Sequence, residues 1–327
     1  MQNTRSSPAL IQMWGSSAAL GRVRNEIARV ACSEATVLII GESGTGKELV
    51  ARAIHESSSR SGEPFVAVNC GALPASLIEA ELFGYEKGSF TGASRAHTGV
   101  FERAGEGTLF LDEIAEMPIE LQTRLLRVIE SRRFYRIGGS KELSTPARIV
   151  AATNRNPLRA VRDGLLREDL LYRLAVFPLV VPPLRERGPD AGEIAARLLT
   201  QLNAARDVDK RLSTRSVHFL REYRWPGNVR ELRNIVERGF LLADEEIDLE
   251  PAFDALLTEE PAAADGSRAV TVPVGTSLQD AERVIIEATV AHLDGNKAKA
   301  ALTLGCSLKT LYNKLRLYAE VEPAAHS

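Results

Sequence analysis

A glycine-rich run carries the clearest chemistry in this sequence: Gly41-Glu42-Ser43-Gly44-Thr45-Gly46-Lys47-Glu48. It follows a β-branched and aliphatic stretch at residues 36–40 and precedes apolar residues at helical spacing between 49 and 54. At such a strand-to-helix turn, backbone N–H groups surround phosphate oxygens while Lys47 reaches the terminal phosphates. The run therefore predicts a nucleotide-binding loop, with a chance glycine-rich turn as the minor alternative. Because Glu48 replaces the usual Ser or Thr ligand of Mg²⁺, other groups must hold the metal.

Acidic and amide side chains end two further predicted strands. Residues 107–111 lead into Asp112 and Glu113, and residues 149–152 lead towards Asn154. Since ligands lie at the carboxyl ends of strands in open α/β sheets, Asp112 is the candidate for holding Mg²⁺ and Glu113 for orienting or activating the attacking water. The amide of Asn154 can hold the γ-phosphate of ATP or that water. The alternatives are an exposed turn or helix cap for the Asp-Glu pair and a turn former for the asparagine.

Two more apolar runs, residues 65–69 and 176–180, complete a set of five predicted strands that alternate with helical patterns. This alternation predicts a parallel α/β sandwich. After residue 183 the strand patterns stop and amphipathic helical patterns follow, which predicts a helical subdomain. In its third helix Asn228 is the expected N-cap, and Arg230 lies in the first turn, either aimed at the nucleotide or solvated.

The C-terminal segment returns to a helical pattern after a proline- and alanine-rich stretch at residues 250–276, which predicts a linker. A helix beginning near Ser277 is followed by two short helices around a turn at Leu304-Gly305, the arrangement of a helix-turn-helix. We expect Asn296 and Ser307 to cap the two short helices. Their inward side chains are expected to be Ala298, Ala301, Leu302, Leu308, Leu311 and Leu315.

Any DNA binding by this segment has to depend on local charge, because the whole chain has 41 basic and 43 acidic residues and a net charge of -2. Between residues 296 and 316 the sequence carries five basic residues and no acidic residue. A basic helix-turn-helix predicts contacts to double-stranded DNA, with a helical dimerisation hairpin as the alternative. The candidate DNA-binding residues are Lys297, Ser307, Lys309, Thr310, Asn313 and Lys314.

Length and composition indicate a globular protein with two or three folded units. At 327 residues the chain exceeds what one hydrophobic core usually fills. Its three cysteines, Cys32, Cys70 and Cys306, lack the close pairing of a zinc site or a disulfide scaffold. No stretch approaches the roughly 20 apolar residues that span a bilayer, and the N-terminus lacks signal-peptide features. These observations predict a cytoplasmic protein that does not engage a membrane.

A second glycine-bounded run, Gly88-Ser89-Phe90-Thr91-Gly92-Ala93, has no evident role in phosphate chemistry. It places a Phe-Thr tip between two glycines, and such a loop contributes little to a hydrophobic core. An aromatic residue on an exposed loop predicts contact with an external partner.

With these motifs in view, the sequence resembles the AAA+ ATPases and, among them, the bacterial enhancer-binding proteins that activate RNA polymerase carrying the sigma-54 factor. The resemblance runs from about residue 15 to 248 and resumes in the C-terminal segment. The family's phosphate loop reads Gly-Glu-x-Gly-Thr-Gly-Lys-Glu, so Glu48 is normal there. Its hallmark loop, Gly-Ala-Phe-Thr-Gly-Ala, is matched at residues 88–93 with Ser89 in place of Ala, a small change that we expect to be tolerated.

The resemblance also implies roles for single residues. Asn69 is similar to the switch residue that pairs with the catalytic Glu113, and Asn154 to the first sensor of the γ-phosphate. Arg167 and Arg173 match arginines that reach a neighbouring subunit's nucleotide, although an arginine at either position can also form a surface salt bridge. Arg230 matches the second sensor. Residues 136–146 correspond to a second mobile loop, with a plain surface hairpin as the alternative.

The implied fold is α/β: the AAA+ parallel five-stranded P-loop sandwich with an α-helical lid, followed by an all-α, Fis-type helix-turn-helix domain. The expected divisions are an extension at 1–14, the ATPase subdomain at 15–182, the lid at 183–248, a linker at 249–276 and the DNA-binding domain at 277–327. Since few residues precede the ATPase subdomain, we expect control by a regulatory protein in trans, by expression level or by assembly with a related partner.

The implied function is ATP-driven activation of transcription. Such a protein binds ATP and Mg²⁺, assembles into a homo-oligomeric ring that is expected to be hexameric, and binds a palindromic upstream DNA site. In the ring, Phe90 and Thr91 touch the sigma-54 factor, and ATP hydrolysis moves their loop to remodel the closed complex of RNA polymerase. The alternatives are an AAA+ motor acting on DNA and a DNA-binding regulator whose ATPase has decayed.

Overall fold

The computed structural model describes residues 7–72, 74–250, 273, 275–293 and 295–320. The chain divides into two compact units, residues 1–257 and residues 258–327, and each is considered by itself. Most of the predicted linker, residues 251–272 and 274, lies outside the described residues.

A parallel sheet of five strands forms the centre of the first unit, in the order β2-β3-β6-β1-β7. The five strands are β1 (Val37–Ile40), β2 (Phe65–Asn69), β3 (Thr108–Asp112), β6 (Arg148–Thr153) and β7 (Phe177–Val180). All five predicted strands are confirmed. The order follows from crossover connections that no local pattern encodes, and it places β6 between β1 and β3.

The central strands read as continuous apolar runs because both faces of the sheet are covered. In β3, Leu109 and Leu111 belong to the core on one face, whereas Phe110 between them belongs to the core on the other. The alternation follows from successive side chains of a strand pointing to opposite faces. The helices that cover the two faces are α1 (Pro8–Gln12), α2 (Ala18–Ala31), α3 (Lys47–Glu56), α4 (Ala75–Phe83), α5 (Val100–Arg103), α6 (Ile119–Ser131), α7 (Pro157–Arg162) and α8 (Glu168–Leu174).

An antiparallel hairpin stands apart from the central sheet. It consists of β4 (Arg133–Tyr135) and β5 (Glu142–Ser144), which pair over three residues each. The glycine-containing segment between them therefore forms the tip of a hairpin. This agrees in shape with the surface hairpin considered from the sequence, and the mobility of its tip stays a prediction.

The lid is a helical bundle with its own core, as the sequence predicts. Its helices are α9 (Asp190–Arg206), α10 (Thr214–Glu222) and α11 (Asn228–Leu242), and two-residue strands β8 (Arg211–Leu212) and β9 (Glu246–Ile247) pair beside them. Trp225 is fully buried in this core and donates from its indole nitrogen to the Leu220 carbonyl at 3.2 Å.

The second unit contains α12 (Leu278–His292), α13 (Lys297–Thr303) and α14 (Leu308–Glu320). Asn296 caps α13 as predicted, with its Oδ1 accepting from Lys299 N at 3.2 Å, and Ser307 Oγ accepts from Thr310 N at 3.1 Å at the start of α14. The core consists of Ile286, Ala300, Ala301 and Leu311, with the partly buried Val290, Leu293, Leu304, Cys306, Leu315 and Tyr318 packed against it.

Three of the predicted inward side chains of this unit are wrong. Ala298, Leu302 and Leu308 are exposed, Leu302 by 83%. For Ala298 and Leu302 the periodicity misleads because α13 has only seven residues, and two turns of an alanine-rich helix do not fix which side faces the core. Ala301 is buried as predicted, and Ala300 is buried beside it.

No helix within the described ranges is long and apolar enough to cross a membrane.

Candidate functional site

The phosphate-binding loop joins β1 to α3, and α3 begins at Lys47. Gly44 and Gly46 have φ values of 77° and 96°, a left-handed conformation that glycine adopts without steric cost. The Lys47 ammonium donates to the carbonyl oxygens of Gly41 at 2.9 Å and Glu42 at 3.1 Å. Burial lowers the pKa of Lys47, and the nearby Asp112 and Glu113 partly offset that effect. The lysine is therefore held inside the loop, beside both candidate carboxylates.

Asp112 and Glu113 stand at the carboxyl end of β3. Burial raises the pKa of Asp112, against the lowering effects of the Glu113 N–H and of Lys47. Asp112 Oδ1 accepts from that N–H at 2.9 Å, and Glu113 has a φ of 54°, unusual for a residue with a side chain. The chain thus turns sharply at Glu113, and this backbone conformation is the kind of strain that concentrates at functional sites.

Asn69 lies opposite Asp112 in the register of β2 and β3. Its Oδ1 accepts a hydrogen bond from Gly71 N at 2.8 Å. A Cβ atom on Gly71 would lie 2.9 Å from Glu113 Oε2, so the same glycine is close to the Glu113 carboxylate. Among the described residues no direct hydrogen bond joins Asn69 to Glu113, and the switch role of Asn69 stays a prediction.

Asn154 follows β6 directly and is exposed. Because β6 pairs with both β1 and β3, its carboxyl end lies between the end that leads into the phosphate loop and the end that carries the acidic pair. The strand order thus places Asn154 near the phosphate loop and the acidic pair, as its predicted role requires.

The lid contacts the phosphate loop through the first turn of α11. Arg230 Nη1 donates to Ser43 Oγ at 3.0 Å, and Val229 N donates to the Gly44 carbonyl at 3.0 Å. Arg230 is thus exposed and at the same time in contact with the phosphate loop, and its role as the second sensor stays a prediction.

Asn228 is not the N-cap of α11, because Gly227 occupies that position. Asn228 is fully buried with a φ of 55°. Its Oδ1 accepts from Leu184 N at 2.8 Å, and its Nδ2 donates to the Ser43 carbonyl at 3.0 Å. Asn228 therefore connects the phosphate loop to the lid. The sequence could not predict this contact, because the residue type by itself indicates only a turn or a cap.

Glu42 also ties the phosphate loop to the lid. Both of its carboxylate oxygens accept from Arg185, at 2.8 and 2.5 Å. The hydrogen bond from Arg185, together with that from Asn228, holds the pKa of Glu42 below its usual value.

A cavity of 380 Å³ opens beside the phosphate loop, between the N-terminal segment and the lid. Its walls are mainly apolar, and the size and lining suit a planar base better than a phosphate chain. Sequence reasoning missed this cavity because its walls come from four separate stretches of chain. The lining residues are Gln12, Met13, Trp14, Leu20, Thr45, Gly46, Leu49, Val50, Val181, Arg187, Ile194, Leu198, Gln201, Val229 and Arg233.

The two candidate trans arginines lie at α8. Arg167 precedes the helix and pairs with Asp169 at 2.7 Å, and Arg173 pairs with Glu130 at 3.1 Å. Both ion pairs are partly exposed, so they contribute little to stability and are readily exchanged for another anionic partner. Their action on a neighbouring subunit stays a prediction.

The loop at residues 88–93 projects between α4 and α5. Gly88 N donates to the Ala93 carbonyl at 2.8 Å, and both Gly88 and Gly92 have positive φ values. The Phe90 ring is 46% exposed and meets the edge of Tyr85 at a centroid distance of 5.0 Å. Ala93 is 5% exposed, so it closes the base of the loop and is not available to a partner in this conformation.

Ser89, the departure from the family hexapeptide, faces the tip of the hairpin. A Cβ on Gly138 would lie 2.6 Å from Ser89 Cβ. The Ser89 hydroxyl is buried without a hydrogen-bond partner among the described residues.

Ion pairs and backbone hydrogen bonds connect the base of this loop to the β4–β5 hairpin. Arg136 donates to Glu102 at 2.8 and 2.6 Å and to Glu86 at 3.1 Å. Glu86 N donates to the Ile137 carbonyl at 3.0 Å, and Ile137 N donates to the Gly84 carbonyl at 2.9 Å. The base of the loop and the hairpin are therefore joined by side-chain ion pairs and by backbone hydrogen bonds.

In the second unit the candidate DNA-binding residues differ in exposure and in their contacts with other side chains. Lys309 and Asn313 are exposed on α14, whereas the Lys314 ammonium is paired with Glu282 of α12 at 2.5 Å. Lys297 lies over the Tyr312 ring at 4.8 Å. The Ser307 and Thr310 hydroxyls are 2.7 Å apart and hydrogen-bonded to each other.

Comparison with known protein families shows to which family the chain belongs. Residues 13–180 match the Sigma-54 interaction domain, residues 185–268 the AAA+ ATPase lid domain, and residues 277–318 the Fis family of bacterial regulatory proteins. The chain belongs to the sigma-54-dependent regulators. Within this family it is 43% identical over 326 residues to regulatory protein AtoC of Escherichia coli, covering 95% of this chain and 69% of that protein.

Other members of the family give the same result. The transcriptional regulatory protein FlbD of Caulobacter vibrioides is 45% identical over 307 residues, covering 89% of this chain and 67% of that protein. The crystal structure of NtrX from Brucella abortus in complex with ADP superposes with a TM-score of 0.72 at 34% identity, covering 93% of this chain and 68% of that chain. The NtrX structure in complex with ATP gives a TM-score of 0.70 at 34% identity, covering 92% and 68%. The expected AAA+ fold with a Fis-type helix-turn-helix is thus confirmed.

Proposed function

We propose that this chain hydrolyses ATP and uses the hydrolysis to remodel the closed complex of sigma-54 RNA polymerase into the open complex. The observation that carries the proposal is the exposed Phe90-Thr91 tip on the same folded unit as a complete P-loop site. Phe90 is 46% exposed, and the hydrogen bond from Gly88 N to the Ala93 carbonyl closes the base of its loop. The alternative function, an AAA+ motor that acts on DNA, does not explain an exposed aromatic residue at the tip of this loop.

ATP would be bound by the backbone of the phosphate loop and by Lys47. The lysine can exchange its present carbonyl acceptors for phosphate oxygens, which are stronger acceptors because they are charged. Arg230 lies close enough to Ser43 to add a second positive charge from the lid. The crystal structures of NtrX with ADP and with ATP support nucleotide binding at a site of this fold.

The donor set at β3 fits Mg²⁺. Within the described ranges no group of three or more His, Cys, Asp or Glu side chains converges, and magnesium commonly takes one or two carboxylates together with phosphate and water oxygens. Asp112 would hold the ion, which supplies charge neutralisation between the phosphates. Glu113 would orient and deprotonate the attacking water, and Asn154 would position it against the γ-phosphate.

Hydrolysis would need a neighbouring subunit. An arginine inserted beside the transferring phosphate is worth about 10³ to 10⁵ in rate, and Arg167 and Arg173 are the candidates. Because each of them is held only by a partly exposed carboxylate, docking of a second copy can redirect it. We propose a ring, hexameric in line with the resemblance, in which assembly switches the ATPase on.

The C-terminal unit would hold the ring at its promoter by binding upstream double-stranded DNA. The exposed Lys309, Thr310 and Asn313 on α14 are the candidates for base and phosphate contacts. On α12, Val284 and Ile285 are 41% and 45% exposed, which suits pairing of two copies on a palindromic site.

The test separates hydrolysis from remodelling with two variants. Thr91→Ala should keep ATPase activity and DNA binding within about twofold of wild type, because the tip touches neither site, yet lose open-complex formation by sigma-54 polymerase. Lys47→Ala should lose ATP binding and with it both activities. Normal open-complex formation by Thr91→Ala would refute the role of the loop, and unchanged ATP affinity of Lys47→Ala would refute the P-loop assignment.

A further inference from the structure

Asp190, the first residue of α9, is fully buried and accepts hydrogen bonds from two directions. From the N-terminal segment, Ser16 N and Ser17 N donate to its Oδ1 at 2.9 Å each, and Ser17 Oγ donates to its Oδ2 at 2.8 Å. From the lid, Arg187 Nε donates to Oδ2 at 2.8 Å. A carboxylate with this many donors fixes the relative position of the two segments.

The N-terminal segment is shaped to reach this carboxylate. Gly15 has a φ of 131°, and a Cβ atom there would lie 2.4 Å from the Asp190 Cγ. Arg187 Nη2 donates to the Trp14 carbonyl at 2.8 Å, and Arg24 Nη2 donates to the Gly15 carbonyl at 2.9 Å. Polar contacts to Asp190, Arg187 and Arg24 therefore hold residues 14–17 in place.

These contacts lie directly behind the cavity beside the phosphate loop. Met13 and Trp14 of the N-terminal segment form one wall of the cavity, and Ile194 and Leu198 of α9 form another. Thr45 and Gly46 of the phosphate loop also line it. Arg187 belongs both to the cavity lining and to the Asp190 ion pair. The distance between the two walls thus depends on Asp190.

We propose that Asp190 is a positioning residue for the base of the bound nucleotide: by joining the N-terminal segment to the lid, it sets the width of the base cavity without touching the phosphates. The inference rests on the proposed function, because it assumes that a nucleoside triphosphate is the ligand. It separates the recognition of the base from that of the phosphate chain, which depends on Lys47 and the glycines.

The charge state of Asp190 agrees with this role. Burial alone would raise its pKa, but the hydrogen bonds from Arg187 and Ser17 outweigh burial and leave the pKa below the ordinary value. The carboxylate therefore stays ionised at neutral pH, and a neutral amide of the same shape removes the ion pair.

The experiment compares Asp190→Asn with wild type in the binding of ATP, ADP and inorganic tripolyphosphate. Asp190→Asn should weaken ATP and ADP about 10- to 100-fold, the value of a charge-assisted hydrogen bond, and leave tripolyphosphate within twofold. Retained tripolyphosphate binding also reports a folded phosphate loop. Gly15→Ala disturbs the same contact from the N-terminal segment, so it should also weaken ATP and ADP binding and leave tripolyphosphate binding within twofold.

The matched control is Asp209→Asn, which removes an ion pair to Arg211 in which both side chains are about 80% exposed. It should change none of the three affinities. The inference is overturned if Asp190→Asn binds ATP like wild type, or if it loses tripolyphosphate in proportion to ATP, since the latter indicates general unfolding. Failure of wild type itself to bind ATP, with tripolyphosphate bound, would instead refute the proposed function.

Discussion

At the residue scale, the absence of a side chain at Gly71 leaves room for the candidate catalytic carboxylate of Glu113. The Cβ position of Gly71 lies 2.9 Å from Glu113 Oε2 and 3.1 Å from Glu116 Cβ, so any larger residue crowds the end of the Glu113 side chain. The backbone N–H of the same glycine donates to Asn69. Gly71 thus connects the candidate switch residue with the candidate base although it carries no chemistry of its own.

Gly71→Ala should therefore fold normally and bind ATP like wild type, because the flexible end of Glu113 can move aside and Glu116 has to give by only a few tenths of an ångström. Its kcat should fall about 10- to 100-fold, the usual effect of displacing a catalytic group by roughly 1 Å. Steady-state ATPase kinetics and ATP binding measure the two quantities. Gly62→Ala is the control, since nothing lies within 4 Å of its Cβ position. An unchanged kcat for Gly71→Ala would show that the position of Glu113 does not limit hydrolysis.

The sequence was sufficient to select Lys47, Asp112 and Glu113 as candidates, because their chemistry follows from residue type and from position at the end of a strand. The structure brings the three side chains near one another, and their roles stay predictions. It could not reveal Asn228 or Asp190. Their partners in the phosphate loop and in the N-terminal segment lie more than 150 residues away along the chain, and a buried asparagine or aspartate looks in sequence like an ordinary cap. The close approach of Ser89 to Gly138 likewise joins two separate stretches of chain.

At the element scale, α3 and β3 are fastened together at the end opposite the nucleotide site. His55 Nδ1 and Thr108 Oγ1 are hydrogen-bonded at 2.9 Å, both side chains are buried, and the imidazole packs against Phe65 at 5.4 Å. Burial lowers the pKa of His55. The neutral imidazole therefore helps to hold the helix that begins at Lys47 against the strand that ends at Asp112.

This contact predicts a pH dependence of stability. In the unfolded chain a histidine titrates near pH 6.5, whereas the folded-state pKa of His55 is lower, so the unfolded state binds the proton first as the pH falls. The free energy of unfolding should decrease between about pH 7 and pH 5.5, by at most about 1.4 kcal/mol per pH unit for this one proton.

His55→Gln should reduce that slope, and His218→Gln, which changes an exposed histidine paired with Glu222, should not. Urea unfolding at a series of pH values measures the slope for each variant. Equal slopes for wild type and His55→Gln would contradict the role of this contact.

Elements were predicted with unequal success for physical reasons. The five strands could be predicted because burial on both faces leaves a continuous apolar signal. Their order could not, since it depends on which crossover passes over which face. The inward side of α13 was predicted only in part, with Ala301 right and Ala298 and Leu302 wrong, because seven residues are too few for the helical period to be decisive.

At the scale of the whole molecule, the chain combines an AAA+ unit with a helix-turn-helix unit whose local positive charge the net charge of -2 does not reveal. Within the second unit the basic residues between 296 and 316 lie on α13 and α14, whereas its acidic residues lie before and after that stretch. Each unit has its own core, so the loss of one activity need not abolish the other. The account requires that ATP hydrolysis in the first unit opens a promoter held by the second.

Promoter melting tests this requirement most directly. A fluorescent base analogue in the start region of a sigma-54 promoter reports strand separation while phosphate release is followed in the same sample. With sigma-54 polymerase and this chain, ATP should raise the fluorescence in step with phosphate release, and a non-hydrolysable ATP analogue should leave the promoter closed. Melting that proceeds equally with the analogue, or rapid phosphate release without any melting, would contradict the account.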